Sequence, residues 1–394
     1  MSYEGSRMLS SVNWAQSVSG AGISTGTFTY SDQASTRGQS LSASTYLPPL
    51  TGIRALAALL VLGFHLEQQL PSGLFSFLPF LSHGDLGVDF FFILSGFIIT
   101  HVYLASLASP SWGAIRVFFW HRFIRLYPVH IAVLAGLVVM VLVAGSAGND
   151  LNHPQLWGWQ DLFWQVTLLH AWGAPSVNGW NPPSWSISAE WFAYLTFPLL
   201  APALLRVQER RTALVIAVAA LGVTSLLLMS SLNVWAPSLV LVFGEFVCGA
   251  ALCRAVTVGK ALPRLSGDTL GAVAFAAFLV GASADVAYFA LVSLLALTIL
   301  GAAMSRGFLA QILGSRPLVW LGTVSYSVYM THFTVLILMR RLLARLGFIE
   351  WNMATKFSAV LLTVALVLVV AAIVFYVIER PARTLLRNQM AEAK

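Results

Sequence analysis

Arg54 and His65 lie eleven residues apart inside one apolar segment, TGIRALAALLVLGFHLEQQL. At about 100° per residue, eleven steps return a helix to within roughly 20° of its starting direction. Both side chains therefore share one face, roughly 16 Å apart along the axis. Ionisable side chains inside a membrane span are costly and usually face a polar cavity. Two of them on one stripe describe a polar track entering an apolar layer, which is the pattern of a site rather than of a core.

Other segments carry candidate chemistry. GDLGVDFFFILSGFIIT places Asp89 near the outer end of a helix, with Ser95 and Gly96 deeper. A carboxylate there needs a partner, and His65, at a similar depth on the neighbouring span, is the natural one. A carboxylate on the second imidazole nitrogen fixes the tautomer and raises basicity, as a general base requires. The competing reading is a helix N-cap or a loop contact for Asp89. Ser95–Gly96 reads as a small-residue site for close helix packing.

FFWHRFIRLYP carries Arg122 and Arg125 at i and i+3, on one helix face, with Arg116 one to two turns earlier. These are either charge anchors at the membrane boundary or, with Arg54 at the same end, guanidiniums converging on a phosphorylated ligand. In NPPSWSISAEWFAYLTFPLL, Glu190 lies one to two turns inside a span, flanked by Trp185 and Trp191. Interfacial Trp residues are expected as belts. A Glu at that depth is not, and it either orients a substrate hydroxyl or pairs with a cation. LVWLGTVSYSVYMTHFTVL carries Tyr326, Tyr329 and His332, the last two on one face. They either cross-link helices or contact substrate. Glu379-Arg380-Pro381 closes the last apolar run, with Pro381 as a stop signal and Arg383 and Arg387 as anchors.

The elements that must position these residues are membrane helices. The chain is 58% hydrophobic and 9% charged, with a mean hydropathy of +0.80, against about 25% charged residues in soluble domains. Apolar stretches near 51–70, 86–105, 124–145, 184–204, 212–230, 236–254, 269–285, 287–304, 318–339 and 357–378 predict an all-α, polytopic bundle of about ten transmembrane helices. Segment 158–172, WGWQDLFWQVTLLHA, is too short and aromatic for a span and reads as an interfacial or re-entrant helix. Connections 106–123, 205–211, 255–268 and 305–317 and the C-terminal tail contain or adjoin nearly all the Lys and Arg. Connections 71–85, 146–183, 231–235 and 286 contain none. Segment 340–356, with Arg340, Arg341, Arg345 and Lys356, is the exception. The balance puts both termini in the cytoplasm. The net charge of +7 belongs to these loops, so nucleic acid is not an expected partner.

Residues 1–46 are rich in Ser, Thr and Gly and read as a disordered cytoplasmic tail, with residues 389–394 as a short C-terminal tail. Cys248 and Cys253 sit five apart in one span and read as buried thiols. No His/Cys cluster with metal-ligand spacing occurs, so no metal is expected.

Taken in order, Arg54/His65, GVDFFFILSGF, Arg122/Arg125, WSISAEW, SYSVYMTH and IERP resemble the membrane-bound acyltransferase family 3. Its members carry an Arg/Lys-X10-His in the first helix, then GVDxFFxLSGF, RxxR, WSLSxEW, SYSxYxxH and IExP. The resemblance covers residues 47–388. The sequence departs at Thr51, a place that members often fill with Asp.

The resemblance implies an O-acyltransferase that takes an acyl group, most often acetyl, from acyl-CoA on the cytoplasmic side. The acceptor it implies is a carbohydrate hydroxyl, often of an exported polysaccharide or its lipid-linked precursor. Arg54, Arg122 and Arg125 would hold the donor's phosphates. His65 would act as general base or transient acyl carrier, oriented by Asp89. Glu190, Trp185, Tyr326 and His332 would help position the acceptor. A multi-pass protein of a bacterial inner membrane follows, in contact with lipids and with polysaccharide-biosynthesis partners. A macrolide-like small molecule or a lipid is the alternative acceptor. A glycan or lipid exporter is the non-enzymatic alternative, but it predicts internal repeats and the halves show no convincing self-similarity.

Overall fold

The computed structural model describes residues 47–70, 73–109, 111–146, 157–174, 179–230, 236–258 and 264–392. The segment read as an N-terminal tail, 1–46, lies outside the described residues, as do 393–394 of the C-terminal tail.

Every regular element among the described residues is helical. The helices are α1 (Pro48–Gln69), α2 (Gly87–Tyr103, led in by a 3₁₀ segment Pro79–Leu86), α3 (Trp112–Ser146), α4 (Asp161–Val166), α5 (Trp185–Arg206), α6 (Arg210–Met229), α7 (Pro237–Thr257), α8 (Arg264–Ser283), α9 (Tyr288–Met304), α10 (Phe308–Leu313), α11 (Arg316–Arg345), α12 (Met353–Val374) and α13 (Arg380–Glu392). Lipid offers backbone groups no hydrogen bonds, so apolar segments of this length close their bonds internally as helices. Among the described residues, eight helical stretches are long and apolar enough to cross a membrane, and two shorter apolar helices, Gly267–Ser283 and Tyr288–Met304, fall where two further spans are expected. Segment 158–172 is not a span. It forms the short α4, and a left-handed turn at Leu168 (φ 57°) follows.

Two helix pairs position the site. α1 and α11 run parallel. Gly322 abuts the Thr51 carbonyl near their N-terminal ends, and His65 meets His332 further along. α2 crosses α7 at a glycine contact, where a Cβ on Gly96 would overlap the Phe246 carbonyl. The small-residue reading of Ser95–Gly96 therefore holds for Gly96. Cys248 and Cys253 are buried free thiols on α7. Val139 and Val143 on α3, Val218 and Leu226 on α6, and Leu362 and Ile373 on α12 are exposed. Such broad apolar faces suit a lipid surface.

The last span ends in a π-helical turn, Phe375–Glu379. The extra residue in such a turn re-aims the side chains that follow it, a feature common at functional sites. Here it leaves Glu379 facing inward, at 1% exposure.

Candidate active site

A cavity of about 130 Å3 is lined by Arg54, Ser95, Arg122, Arg125, Glu190, Tyr194 and Tyr326, among others. Arg125 forms an ion pair with Glu379, which also lies 3.4 Å from Arg383 and accepts a 2.7 Å bond from Ser327. The Arg125 guanidinium lies over the Tyr326 ring, 4.9 Å from its centroid, while the Tyr326 hydroxyl donates to the Leu126 carbonyl. Arg122 donates to Tyr103 at 2.9 Å, and its guanidinium lies 4.9 Å from the Tyr103 ring centroid and 5.8 Å from that of Tyr194. Its Nε is buried with no partner among the described residues. Arg54 makes neither a hydrogen bond nor an ion pair among the described residues, although Arg125, Arg383, Glu379 and Glu190 all act on it electrostatically. Glu190 accepts bonds from Ser95 (2.6 Å) and Tyr194, so hydroxyls rather than arginines satisfy it. A half-buried guanidinium with no direct hydrogen bond or ion pair is costly. The site is therefore short of an anion, and paired guanidinium N–H groups match phosphate oxygens.

A second cavity, of about 910 Å3, is lined by Phe64, His65, Asp85, Asp89, Trp185, Tyr288 and Tyr329, among others. The hydrogen bonds fix the imidazole tautomers. His332 Nδ1 lies 2.7 Å from the Tyr329 carbonyl. A carbonyl only accepts, so that nitrogen carries the proton and Nε2 carries a lone pair. His65 Nδ1 lies 2.9 Å from the Val61 carbonyl and 3.4 Å from His332 Nε2, so it too is the protonated nitrogen. His65 Nε2 is left as a free base.

The expected partnership of Asp89 with His65 is not what forms. Asp89 accepts from the Tyr288 hydroxyl, and the same hydroxyl lies 2.8 Å from Glu245 Oε1. Similar depth on adjacent spans does not set the direction in which a side chain points. Asp89 lies on the side of α2 that faces α7 and α9, which bring Glu245 and Tyr288. One hydroxyl proton serves one contact, so the second contact requires a proton on a carboxyl group. The trio thus holds two protons among three oxygen centres, beside the wall of the His65 cavity.

Next to this cavity, the loop read as interfacial folds into a buried polar cluster. Ser184 Oγ lies 2.9 Å from Gln165 Oε1 and 3.1 Å from His170 Nε2, and the His170 ring stacks against that of His130 with centroids 6.3 Å apart. Burial pushes the His170 imidazole down to about 4, and neighbouring His130 adds to the shift.

Of the residues singled out in the sequence, Arg54, Arg122 and Arg125 share the first cavity, and His65, Asp89 and Trp185 share the second, with His332 behind His65. Glu190 and Tyr326 line the arginine cavity, away from the imidazoles. Sequence reasoning missed Glu245, Tyr288, Tyr194 and the inward role of Glu379. An acid in the middle of an apolar helix, as Glu245 is, was the available signal.

The family model described as an acyltransferase domain, of acyltransferase family 3, matches residues 49–379. The chain belongs to acyltransferase family 3. It is 29% identical over 381 residues to acyltransferase MdmB of Streptomyces mycarofaciens, covering 86% of this chain and 92% of that protein. It is 27% identical to peptidoglycan O-acetyltransferase OatA of Listeria monocytogenes and 26% identical to the putative peptidoglycan O-acetyltransferase YrhL of Bacillus subtilis. Those two matches cover 86% of this chain but only 56% and 55% of the relatives, so the chain spans about half their length. No solved structure matches. The protein is a multi-pass membrane acyltransferase of this family, among relatives named O-acetyltransferases.

Proposed function

We propose that this protein transfers an acyl group, acetyl in the first instance, from acyl-CoA to a hydroxyl of a carbohydrate acceptor, such as an exported polysaccharide or its lipid-linked precursor. The observation that carries the reading is the pair of adjoining cavities, with three arginines lining one and a free imidazole base in the other. Arg54, Arg122 and Arg125 hold the donor's phosphate groups from the cytoplasmic end, where most of the other Lys and Arg residues also cluster. Arg54 is the residue in greatest need of the anion.

The thioester is presented toward His65. His65 Nε2 takes the proton from the acceptor hydroxyl as its oxygen attacks the thioester carbonyl. The O–C bond forms, the C–S bond breaks, and the proton passes to the departing thiolate to give free CoA. His332 and the Val61 carbonyl hold the imidazole in the tautomer this step requires. Asp89, on the cavity wall, accepts hydrogen bonds from acceptor hydroxyls, and Trp185 offers an apolar face to a sugar ring. Both termini then lie in the cytoplasm and the His65 cavity opens outward, in a bacterial inner membrane.

The test supplies radiolabelled acetyl-CoA to inside-out vesicles from cells carrying wild type or His65→Ala. Label retained on vesicle glycan with wild type alone supports the reading. Equal label with both proteins, or with neither, contradicts it.

A further inference from the structure

We propose that Val88 and Tyr329 form a rigid septum between the two cavities, and that its width selects which acyl groups reach His65. This rests on the reading above, in which the donor enters on the arginine side and the acceptor binds on the His65 side.

Of the residues lining the two cavities, Val88 and Tyr329 are common to both. They stand between Arg54 and His65, which α1 holds roughly 16 Å apart along its axis. Any group handed from one cavity to the other passes this pair.

Both halves of the septum are fixed. The Tyr329 hydroxyl donates to the Pro183 carbonyl at 2.9 Å and accepts from Ser186 Oγ at 2.8 Å. That exhausts its single proton and ties the ring to the start of α5. The ring also meets Phe91 edge-on at 6.1 Å and His332 at 5.8 Å. Val88, the other shared residue, sits in the first turn of α2, and this turn is pressed onto α1. A Cβ on Gly84 would overlap the Leu60 carbonyl, and one on Gly87 the Ala57 carbonyl. Val88 has a single preferred rotamer in a helix. Neither side can retreat without dislodging a helix.

A rigid opening discriminates by cross-section. Once past it, the large cavity imposes no close limit on chain length. The septum therefore passes acetyl and short linear acyl groups and rejects groups broadened next to the carbonyl, such as isobutyryl and benzoyl. Tyr329 adds a link to the chemistry, because its carbonyl sets the His332 tautomer. Displacing this residue disturbs passage and base together. Val88 acts on passage alone and is the cleaner probe.

The experiment compares wild type, Val88→Ala, Val88→Phe and Tyr329→Phe, each first shown to be folded by detergent-solubilised chromatography. Purified protein is titrated with acetyl-CoA. Membrane vesicles are then supplied with radiolabelled acetyl-, isobutyryl- or benzoyl-CoA. For Val88→Ala, the expected result is a rise of about 10-fold or more in isobutyryl transfer relative to acetyl, the scale on which one methyl group changes a pocket's selectivity. Tyr329→Phe keeps the ring but unties it and shifts the ratio in the same direction. Val88→Phe narrows the opening and lowers acetyl transfer about 10-fold or more, with acetyl-CoA affinity within threefold of wild type. Wild-type acyl ratios in both Val88→Ala and Tyr329→Phe would overturn the septum while leaving the acyltransferase reading intact. So would parallel losses of binding and transfer in Val88→Phe, which mark a merely structural residue. A wild-type protein that neither binds acetyl-CoA nor transfers acetyl would overturn both.

Discussion

His65 Nδ1 lies 3.4 Å from His332 Nε2, and the Tyr329 carbonyl decides which of these nitrogens carries a proton. The chain of tautomers runs from a backbone oxygen through two imidazoles and ends in a lone pair on His65 Nε2. In the proposed mechanism a histidine thus fills the orienting role that a carboxylate fills in many general-base sites. Replacing His332 by Ala is expected to lower the transfer rate about 10- to 100-fold through loss of orientation. Acetyl-CoA affinity should stay at the wild-type level. Rate and affinity measured on the same preparation check this, and a parallel loss of both would contradict it.

Arg54 is expected to dominate donor affinity among the three cavity arginines, because among the described residues it has no direct ion-pair or hydrogen-bond partner, and Glu379 and Glu190 act on it only without contact. Charge-assisted hydrogen bonds contribute about 1.5–3 kcal/mol, so Arg54→Ala should raise the acetyl-CoA Kd roughly 10- to 100-fold. Arg54→Lys keeps the charge but loses the paired N–H groups and should recover only part of the affinity. Isothermal titration of the purified protein reads both.

Glu379 is expected to matter for stability before it matters for chemistry. It is buried between Arg125 and Arg383 and takes a hydrogen bond from Ser327. Removing one partner of a buried pair costs about 3–5 kcal/mol, because the other charge is stranded. Arg383 is half-exposed, so the loss should lie toward the lower figure. Glu379→Ala should melt well below wild type in detergent, and the double variant Glu379→Ala/Arg125→Met should recover part of the loss.

The proton count at Tyr288 separates Glu245 from Asp89. If Glu245 carries the second proton, Gln is a close mimic, so Glu245→Gln should retain most transfer activity. Asp89→Asn should lose it, because the amide takes away the negative acceptor. Activity of the two variants at equal membrane levels checks the assignment, and the reverse order would move the proton to Asp89.

His170 has a folded-state value lowered to about 4, against 6.5 when free. Between those values the unfolded state binds more protons, so stability rises with pH across the window and is lost as pH falls from about 6.5 toward 4. A shift of this size amounts to about 3 kcal/mol. The melting temperature of wild type should fall steeply below pH 6, and His170→Gln should flatten that dependence. An unchanged profile in the variant would contradict the assignment.

The all-helical membrane bundle, the arginine cluster and the Arg54–His65 stripe were legible in the sequence, because hydropathy and helical periodicity act along one chain. What joins different helices was not. Asp89 lies near His65 in depth yet bonds to Tyr288, since the direction a side chain takes around its helix depends on neighbours that no local spacing encodes. Glu379 reads as the end of a span until a π-helical turn brings it inward. Glu190 reads as an acceptor-side acid until Ser95 and Tyr194 draw it to the arginine cavity.

The central claim is tested most directly by the O-acyl content of exported glycans in a deletion strain complemented with wild type or with His65→Ala. Both proteins are first shown to reach the membrane in equal amounts. General-base catalysis contributes about 10²–10⁴-fold, so His65→Ala should leave acylation close to that of the deletion strain. Full restoration by His65→Ala would contradict the account.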